Sequence, residues 1–317
     1  MEIYQKLDLI NKSPKSIVTI GTFDGCHRGH QDIIKKVISL SQSNNCKSVL
    51  ITFDPHPRHI LESSNKLPLL MHIDKKLEIF ESLNLDIALI IPFDREFSKF
   101  SADEFLNKII IKYFNPHSII VGYDHHFGFN REGSPEFLKK YGNNNNIDVH
   151  IVEPVTDQGM IISSTHIRNL INSGFVRRAS FELGWVFGFK AMVVRGSGRG
   201  KELGYPTANF IPQEENQLVP ANGVYFIRGR INSENLYGMC NLGIRPTFNE
   251  TDFVMEVHFF DMNSNKLYGK LIEVEFLERI RDEKRFSNPE ELIKQLNKDK
   301  ENCISLMQKY KYETKCL

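Results

Sequence analysis

Along the first half of the chain, short apolar runs alternate with stretches whose apolar positions recur at helical spacing. Ile17, Val18 and Ile20 make a β-prone run, and beyond a glycine-rich turn Ile33, Ile34, Val37 and Ile38 lie on one helical face. Further strands are predicted at Val49–Phe53, Ile87–Ile91, Ile119–Val121 and Val149–Val152. Helices are expected between them, near Asp74–Leu83, Ala102–Tyr113 and Pro135–Tyr141, with the polar run 142–146 as a loop. Such alternation predicts an α/β domain, a parallel sheet covered by helices with ligands at the carboxyl ends of the strands.

The pattern changes after about Glu182. WVFGFKAMVV, NGVYFIRGRI, NLYGMCNLGI, DFVMEVHFF and LYGKLIEVEFL read as successive strands broken by Gly, Asn and Pro turns. Five or six short strands without helices between them predict a small closed β-barrel. A final helix is expected from Ser287-Asn288-Pro289, its apolar stripe running through Leu292, Leu296, Cys303 and Met307. The chain thus reads as α/β plus all-β, with domains 1–183 and 184–317.

Composition narrows the class. The 317 residues are 41% hydrophobic and 25% charged, an ordinary globular balance and long enough for two cores. A net charge of +1 without dense Lys/Arg runs argues against a nucleic-acid partner. No segment is apolar enough to span a bilayer, and the first residues lack the apolar centre of a signal peptide. Cys26, Cys46, Cys240, Cys303 and Cys316 are odd in number and scattered, which fits reduced thiols in a cytoplasmic protein.

The chemistry-bearing runs come in pairs, two in each half. Gly21 to His30, GTFDGCHRGH, places a glycine turn and His27-x-Gly29-His30 between a strand and a helix start, where free N–H groups and two imidazoles can meet phosphate oxygens. A surface loop carrying two histidines is the plainer reading. Ser163-Ser164-Thr165-His166-Ile167-Arg168 offers hydroxyls and a guanidinium at another helix start, which would also serve as an ordinary N-cap. In the second half, Pro206 stiffens PTAN, and in an extended segment Thr207 and Asn209 point to one side as two oxygen ligands suited to Mg²⁺, though an ordinary turn before a strand would explain PTAN by itself almost as well. Alternation over 253–260 puts Phe253, Met255, Val257 and Phe259 on a core face. Glu256 falls on the other face with Val254, His258 and Phe260. A carboxylate there is either half of a salt bridge or placed to act.

These runs, with TFDPHP from Thr52, PFDREFSKFSADEF from Pro92 and VGYDHHFG from Val121, resemble the bacterial bifunctional riboflavin kinase/FAD synthetase family. Residues 16–183 resemble its FMN adenylyltransferase module. The pattern GxFDGxHxGH is met by Gly21, Phe23, Asp24, Gly25, His27, Gly29 and His30, and SSTxIR by Ser163, Ser164, Thr165, Ile167 and Arg168. Residues 184–310 resemble its riboflavin kinase module through Gly200, Leu203, Gly204, Pro206, Thr207, Ala208 and Asn209, followed in order by NGVY, NLGIRPTF, MEVHFFD, LYG and IRDEKRF.

The resemblance implies a Rossmann-like nucleotidylyltransferase domain and a kinase barrel that make FMN from riboflavin and FAD from FMN, with ATP and Mg²⁺ for both. His27, His30, Ser164, Thr165 and Arg168 would hold ATP phosphates, with Asp124 in the nucleotide pocket. Gly200, Gly204, Pro206, Thr207, Asn209 and Arg281 would bind ATP or flavin, and Glu256 would be the general base. Two departures stand out: His125 and His126 replace the aromatic usual after that aspartate, and Met262 replaces a phenylalanine. Adenylylation needs no base, because the FMN phosphate is largely ionised at pH 7 with a second pKa of about 6. A ribityl hydroxyl must lose its proton, so the kinase step needs one. An adenylyltransferase for another acceptor would leave the PTAN half without a role, and a flavin-binding regulator would not need these intact motifs.

Overall fold

Each short apolar run of the first half becomes a strand of one parallel sheet. The computed structural model describes all residues except 11–14, 63–66, 196–203, 232–233, 247–250, 261–266 and 314–317, with backbone alone for 244–246, 251–253 and 311–313. It divides into two compact units, Met1–Ser164 and Thr165–Leu317.

The first unit runs β1 (Glu2–Tyr4), β2 (Ser16–Ile20), α1 (Arg28–Ser43), β3 (Lys47–Asp54), α2 (Pro57–Leu61), α3 (Ile73–Ser82) and β4 (Ile87–Pro92). It continues with α4 (Ala102–Phe105), β5 (Pro116–Gly122), α5 (Pro135–Asn145), β6 (Asp148–Val152) and the small hairpin β7 (Thr156–Asp157) and β8 (Met160–Ile161). All pairings of the large sheet are parallel, in the order β1-β4-β3-β2-β5-β6. The chain winds outward from β2 through β3 to β4, then crosses to the other side of β2 for β5 and β6. The β2/β5 boundary is therefore the switch point, the place at the strands' carboxyl ends where open α/β sheets take their ligands. All five residues of β2 are buried, as expected of a central strand covered on both faces.

Two expectations change here. The run 142–146 is not simply a loop: α5 continues through Asn145, whose side chain donates to the Tyr141 carbonyl at 2.9 Å, and Asn146 closes the helix in a left-handed conformation. The predicted helix near Ala102 starts on a capping box of Ser101 and Glu104, then passes at Leu106 into a π-helix ending at Phe114.

The second unit comprises α6 (Ser164–Asn172, of which Ser164 itself belongs to the first unit), α7 (Val176–Leu183), β9 (Gly188–Val194), β10 (Ala208–Pro212), β11 (Gly223–Ile231), β12 (Glu234–Pro246), β13 (Thr251–Phe259), β14 (Leu271–Arg281) and α8 (Pro289–Glu313). Six antiparallel strands close a barrel in the order β10-β13-β12-β11-β14-β9. Alternate residues such as Tyr225, Met255, Val257 and Phe276 fill it. On the outer face Val224, Phe226 and Met239 pack with Cys303, Leu296 and Met307 of α8, as the helical stripe predicts. The change of strand pattern falls at 183/184, but the compact units divide ahead of α6. The reason is that α7 lies against β14: Arg177 pairs with Glu278 at 3.1 Å and the Phe187 N–H donates to Ser180 Oγ at 3.0 Å. Cys26, Cys46, Cys240 and Cys303 are free thiols, and Cys316 lies outside the described residues.

Candidate functional site

In the first unit the turn after β2 opens at the switch point. Its backbone is left-handed at Phe23, Gly25 and Cys26, with φ of 46°, 79° and 36°. Two of these are not glycine, a strain of the kind that surrounding structure must enforce. The enforcement is visible at the Thr22 carbonyl, which accepts from Lys76 Nζ at 2.8 Å and from Thr52 Oγ1 at 3.2 Å. Asp24 Oδ1 accepts from the Leu70 N–H at 3.3 Å, and the Asp24 carbonyl accepts from Ser164 Oγ at 2.8 Å. The structure thus joins Ser164 of the second motif to the first. Thr165 and Arg168 follow on α6, with Arg168 buried.

His27 is the N-cap of α1, its Nδ1 accepting from the His30 N–H at 3.4 Å. The rings of His27 and His30 stack at 3.7 Å, and a Cβ on Gly29 would stand 3.3 Å from the His27 ring, so this position favours glycine. Burial lowers the pKa of His27 to about 4. It also takes His30 well below its ordinary value, where repulsion from Lys76, and from His27 whenever that ring is protonated, acts the same way. Both rings are neutral at pH 7. With Nδ1 accepting, the His27 proton sits on Nε2 as a donor. His30 Nδ1 is buried without a hydrogen-bond partner among the described residues. Burial pushes the Cys26 thiol up to about 12, which suits a turn filler and not a nucleophile.

After β5, Asp124 is exposed and its carbonyl faces His126 Nδ1 at 2.9 Å. His125 stacks on Phe127 with ring centroids 5.6 Å apart, and burial lowers its pKa to about 4. A neutral imidazole therefore stands in place of the missing aromatic.

In the second unit, register brings the predicted residues together. Glu256 of β13 pairs directly with Asn209 of β10 on one side and Asn241 of β12 on the other. Directly paired residues share a face, so a carboxylate is framed by two carboxamides. Asn209 Oδ1 is buried with no hydrogen-bond partner among the described residues, and Thr207 is half-buried two residues earlier. An orphaned amide oxygen beside a carboxylate and a hydroxyl is an oxygen donor set that fits a hard cation. No cluster of three His, Cys, Asp or Glu suited to a metal occurs among the described residues. Gly204 adopts a left-handed φ of 79° in the turn leading to PTAN. Gly200 lies outside the described residues, as do Met262 and the side chain of Phe253. Arg281 is engaged by a carboxylate, its Nε and Nη2 lying 2.9 Å and 2.8 Å from Oδ2 of the buried Asp299 of α8.

Sequence reasoning missed Lys76, Asn241 and His258. A lysine on the face of α3 that also carries the buried Phe80 was the available signal for the first. Asn241 needed the strand register. His258 is six per cent exposed, and its Nδ1 lies 2.9 Å from the Pro206 carbonyl.

A strained turn with two stacked histidines at the switch point of a parallel sheet, and a barrel on which Glu256 stands between two carboxamides, make two candidate sites, one in each unit. The FAD synthetase family model matches residues 9–166 and the riboflavin kinase family model residues 183–307. The chain belongs to the bifunctional riboflavin kinase/FMN adenylyltransferase family. Proteins of that name from Buchnera aphidicola subsp. Acyrthosiphon pisum and Bacillus subtilis are 34% and 32% identical to it, over 93% and 92% of both chains. A solved structure described as a macrolide-efflux protein from Streptococcus pneumoniae superposes with a TM-score of 0.84 at 31% identity, covering 94% of this chain and 97% of that one. Among the described residues of this chain no helix is long and apolar enough to cross a membrane.

Proposed function

We propose that this chain phosphorylates riboflavin to FMN with ATP on the barrel unit and transfers AMP from a second ATP to FMN on the α/β unit, releasing FAD and pyrophosphate. The observation that carries this reading is the pairing of Glu256 with Asn209 in a unit separate from the His27–His30 turn, so that each half has its own phosphate chemistry.

In the kinase step Glu256 takes the proton of the ribityl hydroxyl as that oxygen attacks the γ-phosphate of ATP, whose bond to the bridging oxygen breaks to release ADP. Thr207 and Asn209 would hold Mg²⁺, which when bound neutralises charge on the phosphate oxygens. Gly204 and Pro206 shape the turn that presents them, and Arg281 ties β14 to α8 through Asp299. In the adenylyl step the ionised FMN phosphate is the nucleophile and needs no base. His27 and His30, as neutral rings, together with the N–H groups opening α1, donate to oxygens on which charge develops. Ser164, Thr165 and Arg168 contribute further donors, and Asp124 and the stacked His125 edge the nucleotide pocket. The chain works in the cytoplasm, where ATP and reduced thiols belong.

Incubating the protein with ATP, Mg²⁺ and riboflavin, then separating the fluorescent products, tests the reading. FMN and FAD are expected, FAD also forming when FMN alone is supplied. Neither product would overturn it.

A further inference from the structure

We propose that His258 is a positioning residue of the kinase site: donating from Nδ1 to the Pro206 carbonyl, it fastens the turn that carries Thr207 and Asn209 to the strand that carries Glu256. The inference rests on the kinase reading above and adds a residue to which no role has been attached.

β10 pairs with β13 through Phe210↔Met255, Asn209↔Glu256 and Ala208↔Val257, and there the pairing stops. Pro206 has no N–H to extend it. Thr207, one of the two oxygens the site needs, therefore lies beyond the last ladder position. The next residue of β13 on the Glu256 face is His258, and its Nδ1 meets the Pro206 carbonyl at 2.9 Å. One hydrogen bond takes over where the sheet's own bonding ceases.

The ring is held for this task. It meets Tyr205 edge-on at 5.2 Å and Phe260 at 5.9 Å, and the Tyr205 hydroxyl donates to Asn297 of α8. Burial depresses the pKa of His258, with the Lys300 charge acting the same way and the Pro206 bond opposing both, so the neutral ring carries its proton on Nδ1. Its Nε2 is buried without a hydrogen-bond partner among the described residues. Packing alone would be served better by phenylalanine, which buries no unpaired nitrogen. What phenylalanine lacks is the donor at Nδ1.

Two variants and one spectrum test this. His258→Phe keeps the ring and removes the donor. His258→Asn keeps a donor near the Nδ1 position and removes the ring. Misplacing a catalytic oxygen is expected to cost His258→Phe about tenfold or more in kcat for riboflavin phosphorylation and to raise its Mg²⁺ requirement, while His258→Asn stays within about threefold of wild type. Adenylylation of supplied FMN should be unchanged in both, which monitors folding and concentration on the same chain. Imidazole ¹⁵N spectra of the wild type, with the His258 signals assigned by their loss in the Asn variant, should show the Nδ1-protonated tautomer. Wild-type kinase kinetics in His258→Phe, an equal loss in both variants at unchanged melting temperature, or an Nε2-protonated ring would each overturn the proposal. The spectrum decides even if the Phe variant fails to fold. A wild-type chain that makes no FMN would instead overturn the kinase reading itself.

Discussion

Replacing His27 with asparagine separates the two things this residue does. Its Nδ1 caps α1, and its Nε2–H is the donor proposed to meet the nucleotide. Asparagine is among the preferred N-caps, so the helix start should survive. The Nε2–H donor is lost. One preorganised donor removed from a site of developing charge slows a reaction by about 10²–10³-fold. A second consequence follows from burial, which lowers the pKa of His27 from 6.5 to about 4. Between these values the unfolded chain binds a proton that the folded chain does not. Stability from this residue is therefore fully present above pH 6.5 and is lost as pH falls towards 4. The gap corresponds to roughly 3 kcal/mol, and asparagine does not titrate. The variant should melt with wild type at pH 7.5, melt higher than wild type at pH 5, and form FAD from FMN at least about a hundredfold more slowly. Because fewer than about one ring in a hundred is charged at pH 7, wild-type adenylylation should show no alkaline decline near pH 6.5. Such a decline, abolished in His27→Asn, would mean the imidazolium is the working form and would refute the reasoning. So would a variant with wild-type turnover.

Three further outcomes are expected. Glu256→Gln should slow riboflavin phosphorylation by roughly 10²–10⁴-fold while FMN adenylylation continues. If Glu256 were only an ion-pair partner, melting temperature would fall and turnover would stay. Lys76→Met should leave the Thr22 carbonyl, among the described residues, with the side-chain donor Thr52 alone and remove a charged hydrogen bond, typically about 1.5–3 kcal/mol. Adenylylation and the melting of the first unit should both suffer while the kinase rate holds, and no change in either would sink this account of the turn. A fragment of residues 165–317 should melt well above one of residues 184–317. The shorter one uncovers a surface now packed by Val176, Ala179 and Leu183, at about 1.5–3 kcal/mol for each large apolar side chain. Equal melting would put the working boundary at 183/184.

What the sequence could disclose divides along a physical line. Features set by near neighbours were legible: the strand before Gly21, the helix after it, the two faces of 253–260 and the stripe of α8. Features set by distant contact were not. The edge strand β1 carries no apolar alternation and exists because Ile3 pairs with Ala88. The end of α5 depends on a left-handed Asn146 that polar composition disguises as loop. Arg281 belongs to a recognisable motif, but nothing local shows that Asp299 of another element engages it. The framing of Glu256 by Asn209 and Asn241 is a matter of register across three strands, invisible until they are paired.

The alternation in β13 sets different tolerances for substitution and for length. Met255 and Val257 face the filled interior, while Glu256 and His258 face the other way. Either interior residue can be exchanged for one of similar volume at modest cost. Deleting or inserting one residue ahead of them would reverse every side chain on the strand, putting a carboxylate and an imidazole into the core and two apolar groups beside Asn209 and Asn241. No second substitution within the strand restores that arrangement. In a library of variants, β13 should therefore accept many changes of residue type on its interior face and almost no single-residue insertions or deletions. Among lineages descended from this chain, its length should change more slowly than its composition.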